Sequence, residues 1–226
     1  MATTTNPAAY SLSAPHAPAS TRDLFELAAG FTGILVILWL PTHEQLIFGP
    51  IALLAPLVMV LARRPTLNQL GLGLGLRGLV ASLWIFPAAL VVSILGIFLA
   101  KGAGTFHALY QADFAHCGGY VVWTMYQQFL MQDYFMPRLT RMLSSDAAIG
   151  LAAVLFAVAH LPNLALTAAT LVWGLVSCWL FRRYRNLYVL GLTQGLLGLC
   201  FAVCIPDSLL HHMRVGLGYW QYHPTN

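Results

Sequence analysis

Apolar residues occur along this 226-residue chain in long blocks separated by short polar or proline-containing segments. Seven of these blocks approach the ~20 residues that a helix needs to cross the hydrocarbon core of a bilayer. Inside lipid every backbone polar group must find an internal partner, so such blocks form helices rather than open strands. The pattern predicts an all-α, polytopic transmembrane helical bundle with about seven spans, at residues 24–40, 45–62, 79–100, 118–136, 147–160, 165–181 and 187–205.

Composition supports this prediction. Hydrophobic residues make up 59% of the chain and charged residues only 8%, against about 25% charged residues in an average soluble domain. No basic run interleaved with aromatic residues is present, so we expect no nucleic-acid partner. The cysteines show neither a metal-binding spacing nor a disulfide framework, and are expected to be small buried apolar residues: Cys117, Cys178, Cys200 and Cys204.

Three regions follow from the pattern. Residues 1–21 are rich in Ala, Thr, Ser and Pro and are expected to be a disordered tail, residues 22–205 form the transmembrane domain, and residues 206–226 form an outer-side tail. With a cytoplasmic N-terminus, nine arginines fall on the inner side and only Lys101 and Arg214 on the outer side. The positive-inside rule therefore predicts an N-in/C-out, multi-pass protein of the cell's inner (cytoplasmic) membrane.

Few polar side chains fall inside the predicted spans, and such residues are costly enough to be functional candidates. Any one of them could simply join two helices through a hydrogen bond contributing about 0.6–2 kcal/mol. Their order along three helices favours a common site instead. The candidates are Gln127, Gln128, Gln132 and Asp133 on the fourth span, His160 and Asn163 at the end of the fifth, and Thr193 and Gln194 on the seventh.

This order resembles the CAAX protease and bacteriocin-processing (CPBP) family of intramembrane proteases. That family carries E-E-x-x-x-R on one helix, F-x-x-x-H on the next core helix and H-x-x-x-N/D on a later one. Here the three elements are QQFLMQ at 127–132, FAVAH at 156–160 and QGLLG at 194–198. The resemblance covers a core of about 118–203, and it implies a helical fold with a cavity that accommodates hydrophobic or prenylated chains.

The departures from the family pattern bear on the chemistry. The resemblance implies that two glutamates and two histidines hold and activate a water molecule, with or without a metal. Gln127 and Gln128 keep the shape of the glutamates, but an amide does not titrate. Gln132 stands in place of the arginine, Gln194 replaces the second histidine, and Gly198 removes the last polar group.

Only His160 keeps the family identity, and one imidazole is too few ligands for zinc, which normally has at least three from the protein. We therefore expect no metal, no zinc and no resident cofactor other than a bound isoprenoid or pigment. Asp133 is the nearest acid that could replace the lost base, although it lies about 140° from Gln128 around a regular helix. A second, outer-edge site formed by His43, Glu44, Asp113 and His116 stays open as an alternative.

Three functions remain open at this stage. The first is a non-proteolytic scaffold or binding protein for an isoprenoid, lipid or pigment ligand or for a membrane-protein partner. The second is a membrane enzyme with changed chemistry on an isoprenoid or lipid substrate, and the third is a divergent CAAX-type intramembrane protease. We expect a ligand to contact Trp123, Gln128, Phe156, His160, Asn163 and Gln194, and aromatic residues to line an enzyme's pocket: Trp84, Trp123, Tyr126, Phe129 and Tyr134.

Overall fold

The computed structural model describes residues 20–73, 75–109 and 113–223, and the regular structure in these ranges is entirely helical. The all-α prediction is therefore confirmed for the described chain. The helices of the bundle are α1 Thr21–Trp39, α2 Thr42–Leu61, α3 Leu76–Ser82, α4 Ile85–Ala103, α5 Phe114–Phe129, α6 Met136–Met142, α7 Ser145–Val158, α8 Leu164–Tyr184 and α9 Leu187–Cys204. Short helices follow at α10 Asp207–Leu210 and α11 Leu217–Trp220, with a 3-10 turn at His211–Met213 between them.

Helix starts carry the side-chain caps that their sequences predict. Ser20, Asp113, Ser144, Asn163 and Asn186 each accept a hydrogen bond from a backbone N–H in the first turn of the following helix. Such caps satisfy N–H groups that have no partner within the helix. The expected disordered tail lies outside the described residues except for its last two positions, which are the cap and the first residue of α1.

Two predicted spans differ from a single regular helix. The third is divided at residues 83–84 into α3 and α4. The fourth is a continuous helix from Phe114 to Met142 that widens into a π-helical turn at Leu130–Phe135, between α5 and α6. Hydropathy detects neither feature because both apolar blocks continue through the irregularity.

Within the described ranges, four helical segments are long and apolar enough to cross a membrane: Thr42–Leu61, Gly78–Ala103 (most of α3 together with α4), Leu164–Tyr184 and Leu187–Cys204. The helix α7 is apolar but shorter, and α1 has Arg22, Asp23 and Glu26 in its first turns. These lengths indicate a membrane protein, while seven spans and the N-in/C-out orientation stay predictions.

Charged side chains meet at one end of the bundle, called here the arginine end. The Glu26 carboxylate of α1 accepts hydrogen bonds from Nε and Nη2 of Arg138, at 2.9 and 2.5 Å, and from Nη2 of Arg63 at 2.6 Å. Asp23 is bound through both of its oxygens by Arg141, at 2.8 and 2.6 Å. Buried charges require such partners, so this network joins α1 to α2 and α6.

The chain after α9 forms a folded cap at the opposite end. Asn163 donates from Nδ2 to the carbonyls of Leu210, at 2.7 Å, and Arg214, at 3.2 Å. The backbone N–H of Gly216 donates to the Leu161 carbonyl at 2.8 Å. Over its described part, the predicted tail therefore holds the turn between α7 and α8 against the end of α1, where Gly216 approaches Leu38.

Candidate functional site

The glutamines of the first motif lie where α5 passes into the π-helical turn. Gln128 and Gln132 are 0% and 1% exposed, and both are on the face of the helix that contacts its neighbours. Single π-helical turns inside α-helices are frequent at functional sites. This one coincides with the motif that carries the resemblance.

Close packing of α9 against α5 brings the third motif to the first. A β-carbon on Gly191 would meet Met125 at 2.5 Å, and one on Gly195 would meet Val121 at 3.1 Å, so larger residues would push the helices apart. The Thr124 hydroxyl donates to the Gly191 carbonyl at 2.9 Å across this contact. Small residues thus bring Gln194 within hydrogen-bonding distance of α5.

Four glutamine side chains form one chain of hydrogen bonds. Gln132 donates to Gln128 at 3.1 Å, Gln128 donates to Oε1 of Gln194 at 2.6 Å, and Nε2 of Gln194 donates to Gln127 at 2.5 Å. Trp173 of α8 adds a second donor to Oε1 of Gln194 at 3.0 Å. We call this set (Gln127, Gln128, Gln132 and Gln194) the amide chain.

The His160 ring is oriented by its own helix end. Its Nδ1 lies 2.7 Å from the Phe156 carbonyl, and the two rings meet edge to face with centroids 4.8 Å apart. A carbonyl only accepts, so Nδ1 carries the proton and the neutral ring keeps its lone pair on Nε2. Nε2 makes no hydrogen bond to any of the described residues, and it is therefore free to bind a cavity occupant.

A cavity of about 1080 Å³ lies beside these groups. Ligand pockets generally measure about 300–1,000 Å³, so this space is large enough for a ligand with a long chain. Helices α1, α2, α4, α5, α7, α8 and α9 all contribute to its wall. The sequence-predicted residues that line it are Trp123, Gln127, Phe156, His160, Gln194 and Gly198.

Several predicted site residues do not line this cavity. Gln128 and Gln132 lie one layer behind the wall, where they support Gln127 and Gln194 through the amide chain. Asp133 is buried in the π-helical turn with Oδ2 lacking a hydrogen-bond partner among the described residues. Asn163 does not line the cavity, and its amide caps α8 and anchors the C-terminal cap; its contact with a ligand stays a prediction.

The five aromatic residues expected to line an enzyme's pocket are divided between the cavity wall and packing positions elsewhere in the bundle. Of these five residues only Trp123 lines the cavity. Trp84 packs on Tyr184, and Phe129 is buried in the core. The two tyrosines donate hydrogen bonds within the bundle: Tyr126 to the Leu53 carbonyl and Tyr134 to the Glu26 carbonyl. Tyr126, Phe129 and Tyr134 are therefore packing residues.

Tyr120 is a lining residue that sequence reasoning missed. It lies on α5, and its hydroxyl would overlap a β-carbon built on Gly198 of α9. Gly198 stands where the family pattern has a final polar residue, so a phenol from the neighbouring helix fills that place. Tyr120 lies two turns before Gln127 on the same face of α5, and this spacing could have indicated that it lines the same cavity. No motif includes it.

The expected outer-edge group is divided in the structure. Asp113 caps α5 and its carboxylate contacts Nδ1 of His116. His43 and Glu44, at the start of α2, make no hydrogen bond to either residue in the described ranges. His116 instead lines a smaller cavity with His107, Asp207 and His212, residues that the sequence did not connect.

The donor set at the motif positions does not fit a metal ion. His160 supplies one imidazole nitrogen, while the other motif positions supply amides or no side chain at all. Within the described ranges no group of three or more His, Cys, Asp or Glu side chains converges. Three protein ligands are the usual minimum for zinc, and the motif positions supply fewer than that.

Fold and site together define a helical membrane protein whose cavity is surrounded by the motif positions of an intramembrane CAAX protease. A family model described as Type II CAAX prenyl endopeptidase Rce1-like matches residues 19–200. The chain therefore belongs to this family, and the resemblance found in the sequence is confirmed. No curated protein and no solved structure matches the chain.

Proposed function

We propose that this protein is a non-proteolytic member of its family, a pseudoenzyme that binds a hydrophobic ligand in the large cavity. We place it in the cytoplasmic membrane. The observation that carries the proposal is the amide chain: four amides hydrogen-bond to one another at the positions where the family has carboxylates, an arginine and a histidine. Neutral amides take up no proton near neutrality, so they supply no general base for water.

The lining of the cavity supports a ligand of this class. Its wall contains no Asp, Glu, Lys or Arg among the described residues. An ion moved into such surroundings would lose its hydration without gaining a partner, whereas an apolar chain gains about 25 cal/mol for each Å² removed from water. Isoprenoids, lipid chains and pigments share these properties.

Two polar groups could orient such a ligand. The free Nε2 of His160 accepts a hydrogen bond, and the Gln127 amide nitrogen, which has no partner in the described ranges, donates one. Gln127 is held in place through its carbonyl by Gln194. A few fixed polar groups in an apolar pocket are the usual basis of ligand orientation.

Mass spectrometry of solvent extracts tests the proposal. We expect purified protein to carry an enriched hydrophobic molecule, and Ala169→Phe, which fills the cavity wall on α8, to lose it. Leu175→Phe is the matched control, because Leu175 is on the same helix but 42% exposed and outside the cavity. An extract without an enriched molecule, with a membrane protein co-purifying instead, would favour a protein-binding scaffold.

A protease assay tests the non-proteolytic part separately. We expect no cleavage when the purified protein is incubated with a prenylated CAAX peptide. Cleavage that His160→Ala abolishes, in protein of unchanged thermal stability, would overturn the proposal and identify a divergent protease.

A further inference from the structure

A second cavity, of about 370 Å³, adjoins the large one. Tyr120 and Met213 line both cavities. The two spaces therefore border the same two side chains, near the C-terminal cap. We call the smaller space the vestibule.

The vestibule differs from the large cavity in chemistry. Among the described residues the large cavity has no charged side chain in its wall, whereas the vestibule is lined by His107, His116, His212 and Asp207 together with apolar residues. An apolar space beside a polar one matches the two parts of an amphiphile, an apolar chain and a polar head.

Two of the vestibule histidines are held in a defined orientation. Nδ1 of His107 lies 3.0 Å from the Thr105 carbonyl, and Nδ1 of His116 contacts the Asp113 carboxylate. Both partners accept, so both Nδ1 atoms carry a proton, and in its neutral form each ring keeps its lone pair on Nε2. Neither Nε2 has a hydrogen-bond partner within the described ranges.

The vestibule is unfavourable for an anion because the Asp207 carboxylate lines it and the Asp113 carboxylate contacts the lining residue His116. Hydrogen bonds from the backbone and ring of His116 hold the pKa of Asp113 below its ordinary value. Burial acts to raise the pKa of Asp207, but hydrogen bonds from the Tyr222 hydroxyl and the His212 N–H outweigh it and lower this pKa. Arg214 stacks on the Tyr222 ring at 5.6 Å and does not line the vestibule.

We infer that the ligand is an amphiphile whose chain fills the large cavity and whose head, a hydroxyl or an ammonium group, donates hydrogen bonds to His107 and His116 in the vestibule. This inference rests on the proposed function, because it assigns the polar end of the same ligand. It excludes a phosphate head, whose charged oxygens would accept rather than donate hydrogen bonds and would face the Asp207 carboxylate.

Fluorescence quenching tests the assignment, because Trp123 and Trp173 line the large cavity. The probes are brominated alkyl chains of one length that end in a hydroxyl, an ammonium or a phosphate group. They are added to the purified full-length protein in nanodiscs of uncharged lipid. We expect the hydroxyl and ammonium probes to bind about tenfold more tightly than the phosphate probe, the effect of one good hydrogen bond.

Variants locate the head. His116→Leu and His107→Leu should remove the preference while leaving chain binding in place. His43→Leu is the control, since His43 and His116 both lie in the first turn of a helix and both are exposed. Equal binding of all probes, a preference for phosphate, or a preference that survives both variants would overturn the assignment of the head group. The proposed function would still stand after any of these results. Absence of quenching by every probe would overturn the proposed function itself.

Discussion

The Tyr120 hydroxyl of α5 fills the space beside Gly198 of α9, so that the size of each side chain limits the size of the other. A β-carbon on Gly198 would overlap the hydroxyl oxygen and stand 2.9 Å from Cζ of the ring. Glycine at this position therefore does more than remove the family's polar side chain. It provides the room that a phenol from the opposite helix occupies.

A double-mutant cycle tests this relationship. Gly198→Ala alone should destabilise the protein by about 1–3 kcal/mol through overpacking. In a Tyr120→Ala background the same change should cost much less, because the overlapping ring is gone. Thermal unfolding in detergent of the two single variants and the double variant measures the coupling. Additive effects would show that the ring moves away from Gly198 without cost.

Gln194 is the residue on which most of the amide chain depends. Gln194→Leu leaves the amide nitrogen of Gln128, the carbonyl of Gln127 and the indole N–H of Trp173 without their partner, and each such loss costs about 1–3 kcal/mol. We expect a large drop in thermal stability. The neighbouring Thr193→Val is the control: the Thr193 hydroxyl is buried without a partner in the described ranges, so stability should be unchanged or higher.

The buried guanidinium of Arg138 gives a third prediction. It is 1% exposed and held by Glu26, so Arg138→Met should cost about 3–5 kcal/mol by leaving a buried carboxylate with fewer partners. The double variant Arg138→Met with Glu26→Leu should recover much of this loss. Asp146→Ala is the comparison for an exposed pair with Arg182, and it should change unfolding by about 1 kcal/mol or less.

Acid should loosen the C-terminal cap through Asp207. A carboxyl whose pKa is lower in the folded protein stabilises the fold above its unfolded pKa, and this contribution disappears as pH falls through the folded pKa. Since the pKa of Asp207 is lowered in the folded protein, its contribution to stability should be complete above about pH 4 and should be lost as the pH falls below that value. Trp220 fluorescence follows the change. Asp207→Asn should remove this acid step, and an unaltered step would assign it to another group.

The helices and the motif positions could be predicted from the sequence because both depend on local signals. Long apolar blocks define spans, and a spacing of four residues places Gln128 and Gln132 on one helical face. The hydrogen bonds of Asn163 could not be predicted in the same way, for a physical reason. A polar residue after a helix end satisfies the same pattern whether its amide points to a ligand or caps the next helix.

What the sequence did not reveal depends on contacts between distant residues. Glu26 binds Arg138 across 112 positions of the chain, and no hydropathy window contains both residues. The pairing of Tyr120 with Gly198, and the meeting of His107, His116 and Asp207, likewise require the packed bundle. Periodicity identifies the face of a helix but not the neighbour that the face contacts.

The π-helical turn at residues 130–135 has a consequence for how this long helix accommodates two sets of partners. Before it, Gln128 is aligned with Gln194; after it, Arg138 is aligned with Glu26. Deleting one residue from the turn would restore regular winding but rotate everything beyond it by about 100°. One alignment would then be lost. The widened turn therefore sets the rotation that lets one helix contact neutral Gln194 before the turn and charged Glu26 after it.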